Sequence, residues 1–239
     1  MRIKKFPLTF AIFYCLVFSA FIAAAIVGNH AITVMIQSSQ KPNRRTIVID
    51  AGHGGEDGGA TSCTGVLESN INLEIALRLN DLMHFLGYDT VMIRTTDTAI
   101  HTSGNTIAAR KASDLKARVR LTNETANGLL ISIHQNYFTD ERYSGAQVFY
   151  PATAGSEELG KLLQRDIVTV LNPGSNRMAK RASGIYLMEH IECTGVLIEC
   201  GFLSNREEEA KLRSPNYQKK LCSVIASSVS RYLLNESSV

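Results

Sequence analysis

Four residues far apart in the chain could together perform metal-assisted hydrolysis. His53 sits among five glycines in "TIVIDAGHGGEDGGA" (46–60), and His134 follows an apolar run directly in "ISIHQN". Glu68 stands in "GVLESNINLEIALRL" and Glu199 in "GVLIEC". Two neutral imidazoles and one carboxylate, with a position left open for water, make a known catalytic zinc set. A further carboxylate beside it can take the proton from that water. His53, Glu68 and His134 are therefore assigned as ligands of a zinc ion, and Glu199 as the base.

Each residue also has an ordinary structural reading. His53 could be a turn residue, His134 a capped residue after a buried strand, and Glu68 an acidic group favoured at a helix N-terminus. Glu199 resists such a reading, because a carboxylate within Val, Leu, Ile and Cys is costly to desolvate unless a cation stands beside it. Other candidates fit less well. Glu56 and Asp57 are flanked by glycines and are expected to face solvent. Glu74 lies about 9 Å further along its helix than Glu68. His30, His84, His101 and His190 are read as non-ligands, and Asp50 is expected to orient a ligand imidazole or cap the turn. The glycines do not make a phosphate loop, since no Gly-Lys-Ser/Thr follows and no helix opens directly after them.

The elements that must position these residues alternate between strand and helix. Apolar runs at 46–51, 88–94, 128–133, 145–151, 184–188 and 195–200 read as strands. Periodic segments at 71–87, 108–127 and 156–171 read as helices, as do "REEEAKLR" and "YQKKLCSVIASSVSRYLL". Such alternation predicts an α/β fold in three layers, a mostly parallel sheet with helices on both faces. Open sheets of this kind bind ligands along the edge formed by the strand C-termini. His53 and His134 follow strands, Glu68 precedes a helix that begins at the same rim, and Glu199 is the penultimate residue of its strand. All four thus belong to one edge.

An uncharged segment from Leu8 to Gly28, preceded by Arg2, Lys4 and Lys5, is long enough to cross a bilayer. It reads as an N-terminal hydrophobic helix that anchors the chain in the membrane. The alternative is a signal peptide cut near Ala23, Ala24 and Ala25, although the run outlasts a signal core of about 7–15 residues. The organisation expected is an anchor or signal segment over 1–28, a linker over 29–45 and a catalytic domain over 46–239, working outside the cytoplasm. The chain carries 25 basic and 22 acidic residues, and without the three leader cations the balance is neutral, which gives no support to a nucleic-acid partner. Cys15 falls in the leader. Cys63, Cys193, Cys200 and Cys222 show no CxxC spacing, and the sequence leaves disulfides and free buried thiols equally open.

"IVIDAGHGGEDGGA", the Glu68 segment, "ISIHQN" and "LIECGFLSNREEEAKL" occur in this order over about 46–233 and resemble the zinc-dependent N-acetylmuramoyl-L-alanine amidases of the amidase-3 type. The resemblance implies a six-stranded α/β sheet, zinc held by His53, Glu68 and His134, and Glu199 as the catalytic glutamate. Ala51, Gln135 and Cys200 depart from the family pattern. Cys200 could bind zinc adventitiously or pair with Cys193. "ARKASDLKARVRLTN", "YSGAQVFY" and "SGIYLM" are similar to the sporulation and germination branch, whose members act on spore cortex in the cell envelope or the space between forespore and mother cell. That branch implies a peptidoglycan substrate, the first step toward muramic δ-lactam, and an activating lipoprotein partner. Two rivals stand beside it. One is a membrane-anchored peptidoglycan-binding protein with structural zinc, closed by a fourth ligand such as Cys63 or Cys200, or with none. The other is an exported zinc carboxypeptidase or deacetylase.

Overall fold

The computed structural model describes residues 45–236. The leader, the linker up to Arg44, Cys15 and His30 lie outside them. Twelve elements follow in order: β1 (Thr46–Ala51), α1 (Glu68–Phe85), β2 (Asp89–Met92), α2 (Ile107–Glu124), β3 (Gly128–Asn136), β4 (Gln147–Tyr150), α3 (Ser156–Leu171), β5 (Lys180–Arg181), α4 (Tyr186–His190), β6 (Thr194–Phe202), α5 (Arg206–Leu212) and α6 (Pro215–Glu236). The strands form one six-stranded sheet in the order β2-β1-β3-β6-β4-β5. Neighbours run parallel except β4, which pairs antiparallel with β6.

The strand period of two sorts the apolar residues into two layers. Ile47, Ile49, Leu129, Ile131, Ile133, Val196 and Ile198 face one side, where they pack with Ile75 and Leu79 of α1, Leu163 of α3 and Ile225 of α6. Val48, Leu130 and Leu197 face the other, against Leu187, Met188 and Ile191 around α4 and Val119 of α2. Strands buried on both faces read as unbroken apolar runs, which is why β1, β3 and β6 were visible in the sequence. No helix among the described residues is long and apolar enough to cross a membrane.

One expected strand is not a strand. The run at 184–188 enters the helix α4, whose Leu187 and Met188 are buried against the smaller layer. A short apolar run is compatible with either structure, and packing decided here. The sixth strand is instead β5, two exposed residues, Lys180 and Arg181. Charge on an edge strand discourages further pairing, and it also hides the strand from pattern reading. Two other boundaries matter for the site. Helix α1 starts at Glu68 itself, and β3 continues through His134 to Asn136. The cysteines Cys63, Cys193, Cys200 and Cys222 are all free.

Ile131 lies in the central strand with no exposed surface. Ile131→Ala is expected to cost about 2–5 kcal/mol, measured as a shift in the urea unfolding midpoint at unchanged slope.

Candidate active site

The turn after β1 begins the site. His53 has a φ of 62°, the left-handed region that a non-glycine residue seldom occupies. Two arginines fix the backbone there. Arg94, at the end of the β2 segment, donates from Nε to Ala51 O at 2.7 Å, and from one terminal nitrogen to Gly52 O at 3.0 Å and Ser69 O at 2.8 Å. Arg118 of α2 donates to Ala51 O at 2.9 Å and His53 O at 2.7 Å. Both are buried, at 3 % and 2 % exposure. Asp50 and Asp114 balance the charge of Arg118. Asp50 therefore neither orients an imidazole nor caps the turn directly, and reaches the turn only through Arg118. The alternation of β1 turns it toward α2, where it meets Arg118 and accepts from Ser132 Oγ at 2.6 Å.

With the turn set, the imidazole of His53 points two ways. Its Nδ1 lies 3.0 Å from Asp57 Oδ2 and its Nε2 lies 3.3 Å from Glu68 Oε2. Asp57 thus faces the site and not solvent. Paired hydrogen bonds between the backbones of Gly54 and Asp57 fold the loop back so that the two side chains meet. Lys111 Nζ, 2.8 Å from Asp57 Oδ1, closes the chain of contacts. Glu56 pairs with Arg110 and His101 away from the cluster.

Glu68 is the centre of the arrangement. Its Oε1 accepts from Asn72 Nδ2 at 3.2 Å and Gln135 N at 3.1 Å, and lies 3.0 Å from His134 Nδ1. Its Oε2 accepts from Ala60 N at 3.0 Å. The imidazoles of His53 and His134 stand edge to face with centroids 5.0 Å apart. One donor atom each from His53, Glu68 and His134 lies within 4.8 Å of the others, a spacing that could hold a metal ion. Two of the glycines exist for this approach. A Cβ on Gly52 would stand 2.2 Å from the ring of His134, and one on Gly59, at φ +69°, would stand 2.5 Å from Glu68 Oε2.

Glu199 is the register partner of His134 on the neighbouring strand, so the two side chains share a face at the same height. Its Oε2 is buried without a hydrogen-bond partner. Burial pushes the Glu199 carboxyl up to about 7, helped by Glu68 and opposed by the two imidazoles. For Glu68 burial also opposes the charge, but His134 and His53 prevail and hold it well below the usual carboxylate range. Burial disfavours a charged His53, yet its contacts to Glu68 and Asp57 outweigh that and raise it to about 9.

This geometry fits a divalent cation on its own terms. Three donors of the right chemistry converge, and a partnerless buried carboxylate oxygen stands on the adjoining strand. The cysteines stay out of it. Cys200 points to the opposite face from Glu199, into the larger core with its Sγ 3.6 Å from Ile198 O, and Cys63 is exposed. Glu74 hydrogen-bonds Gln218, His84 meets Thr90, and His190 meets Tyr186 O, so none joins the cluster. Arg94, Arg118 and Asn72 escaped the sequence reading, although the spacing of Asp114 and Arg118, four apart on a helix, was a usable signal.

The raised value of His53 has a definite sign for stability. In chelator the folded chain binds this proton more tightly than the unfolded chain, whose histidine has the ordinary value of 6.5. The stabilisation is complete below about pH 6.5 and is lost as the pH rises through about 9. Urea unfolding in chelator across that interval is expected to show the decline, and His53→Gln to remove that part of the slope.

Comparison with known proteins agrees with the motifs. Residues 47–231 match the amidase-3 family model, described as N-acetylmuramoyl-L-alanine amidase. The chain is 40 % identical over 190 residues to the germination-specific N-acetylmuramoyl-L-alanine amidase of Bacillus subtilis (strain 168), covering 79 % of each. It is similar to the CwlD amidase of Clostridioides difficile, solved in complex with the GerS lipoprotein, with a TM-score of 0.76 and 36 % identity over 80 % of this chain and 98 % of that one. A second solved amidase, from Clostridium difficile 630, gives a TM-score of 0.69 at 32 % identity, covering 80 % and 97 %. The chain belongs to the amidase-3 family of peptidoglycan N-acetylmuramoyl-L-alanine amidases.

Proposed function

We propose that this amidase is zinc-dependent, with His53 Nε2, a Glu68 carboxylate oxygen and His134 Nδ1 as ligands and Glu199 as the acid–base residue. The observation that carries the reading is the meeting of those three donor atoms beside the partnerless oxygen of Glu199. Zinc bound there supplies a Lewis acid for the amide carbonyl and a water acidic enough to be deprotonated near neutral pH. The chain's own residues do the rest. Glu199 accepts a proton from the attacking water as the C–O bond forms at the lactyl carbonyl. The C–N bond to L-alanine then breaks, and Glu199 returns the proton to the departing nitrogen. Asp57 fixes the orientation of His53 through Nδ1, while Asn72, Ala60 and Gln135 fix Glu68.

The preferred substrate is spore-cortex peptidoglycan, and cleavage is the first step toward muramic δ-lactam. Similarity to the germination-specific relative supports this. The complex of the Clostridioides difficile relative with a lipoprotein supports an activating lipoprotein for this chain too. Residues 1–28 act as the membrane anchor or signal segment and 29–45 as a linker, which puts the catalytic domain, 46–239, outside the cytoplasm.

Glu199→Gln is expected to lower the release of stem peptides beginning with L-alanine by at least about 10²-fold while zinc content is kept, as read by mass spectrometry and metal analysis. Retained cleavage would refute the role of Glu199. Asp57→Asn is expected to weaken zinc affinity about 10–100-fold, and His134→Ala to remove zinc altogether. Unchanged metal content in His134→Ala would show the ligand set to be wrong.

A further inference from the structure

Beside the site lies a set of aromatic side chains that the reaction does not use. Tyr137, Phe138 and Tyr143 are 50 %, 49 % and 47 % exposed. Phe138 and Tyr143 are not isolated surface residues, and Tyr137 adjoins Phe138 in the chain. Phe138 and Tyr143 meet edge to face with centroids 4.8 Å apart, and Tyr143 stands 6.1 Å from Phe202. The Arg177 guanidinium lies over the Phe202 ring at 5.1 Å. The segment carrying them is tied down along its length. Phe138 N donates to Ser204 Oγ at 3.2 Å, Asn205 Nδ2 to Glu141 O at 2.7 Å, and Arg177 Nε to Ser144 O at 3.1 Å. Glu208 accepts from both Gly145 N and Phe202 N at 2.9 Å. Exposed aromatic surface held this firmly marks a binding surface more than a mobile loop does.

Its position says what it meets. Phe138 follows His134 by four residues along and beyond β3, and Phe202 ends β6 three residues after Glu199. At about 3.3 Å per residue the ledge begins within about 13 Å of His134. The amide that this family cleaves hangs from a sugar of a long polymer, so the polymer must lie across the edge that carries the cluster. Pyranose rings have an apolar C–H face with a polar rim, and tyrosine offers a matching apolar ring with a polar tip. A stem peptide has no such repeating apolar face.

We propose that Tyr137, Phe138 and Tyr143 form a glycan-binding subsite, on which sugar rings of the peptidoglycan strand stack next to the muramic acid being cleaved. Arg142 and Arg177 at its margin supply donors to the sugar hydroxyls. The proposal rests on the peptidoglycan amidase activity, and its test includes an arm that does not require turnover.

Detergent-solubilised full chain is sedimented with purified peptidoglycan sacculi, in competition with peptide-free glycan oligomers or with free stem peptide. Tyr137→Ala and the double variant Tyr137→Ala/Phe138→Ala are expected to bind sacculi about tenfold more weakly, or ~1.4 kcal/mol. Tyr137→Trp is expected to keep binding, and glycan oligomers, not stem peptide, to compete. Hydrolysis of a soluble single muramoyl-peptide should be unchanged in Tyr137→Ala while hydrolysis of sacculi falls. Wild-type binding by the double variant overturns the proposal, as does competition by stem peptide alone. An equal fall on both substrates also overturns it, since that assigns Tyr137 to folding or chemistry. If the double variant binds sacculi normally but fails to bind a lipoprotein partner, the surface is a protein interface and the proposal fails. A wild-type chain that cleaves neither substrate contradicts the mechanistic reading instead, and the sedimentation arm still decides the subsite.

Discussion

Everything at the catalytic edge depends on how the chain leaves β1. The carbonyls of Ala51, Gly52 and His53 come off the end of β1 into the protein interior, where an unpartnered acceptor costs about 1–3 kcal/mol. Arg94 and Arg118 satisfy all three. A guanidinium suits the task because its donors are held in a rigid plane. The arrangement has its own requirements. Two buried cations need countercharge, which explains why Asp50 lies within an otherwise apolar strand and why Asp114 sits one helical turn before Arg118. Removing one partner of such a group strands the others in a poorly solvating interior. The left-handed backbone at His53, the direction of its imidazole and the location of α2 are therefore one linked solution.

The convergence of His53, Glu68, His134 and Glu199 on one edge was legible in the sequence because topology is an economical guide. A parallel sheet sends every strand end to the same rim, so polar residues after apolar runs can be brought together without knowing a single side-chain angle. The same reasoning could not assign the residues around them. Asp50 and Asp57 lie seven apart in one motif, and it is Asp57, expected to face solvent, that meets the imidazole. Asp57 supports the imidazole because a local backbone bridge folds the loop, whereas Asp50 answers to an arginine 68 positions away. The four-residue spacing from Asp114 hints at an ion pair for Arg118, but not at its burial to 2 % exposure beneath the carbonyls of the turn after β1. The fold shows the same division. Doubly buried strands announce themselves, while the two-residue strand β5 and the five-residue helix α4 depend on what packs against them.

The glycine-rich turn had the look of a device for anions. Its glycines instead clear space for other parts of the protein, with the ring of His134 lying against Gly52 and the carboxylate of Glu68 against Gly59. Such a loop is shaped by its contents. This also explains why a histidine tolerates a conformation that favours glycine, since the surrounding hydrogen bonds over-determine it.

The pairing of His134 with Glu199 in adjacent parallel strands has a consequence for what change the protein can absorb. Strand spacing of about 4.8 Å sets their separation, and an unbroken ladder from Leu129 and Thr194 leads up to the pair, beyond which the register shifts. Side-chain substitutions around the pair leave that separation nearly untouched. An insertion or deletion of one residue within β6 does not. It would turn Glu199 to the far side of the sheet and offer a thiol, Cys200, or an isoleucine, Ile198, in its place. The spacing of the pair is thus sharply divided in its sensitivity: little moved by exchanges of the residues around it, and lost with a one-residue change in count between Thr194 and Glu199.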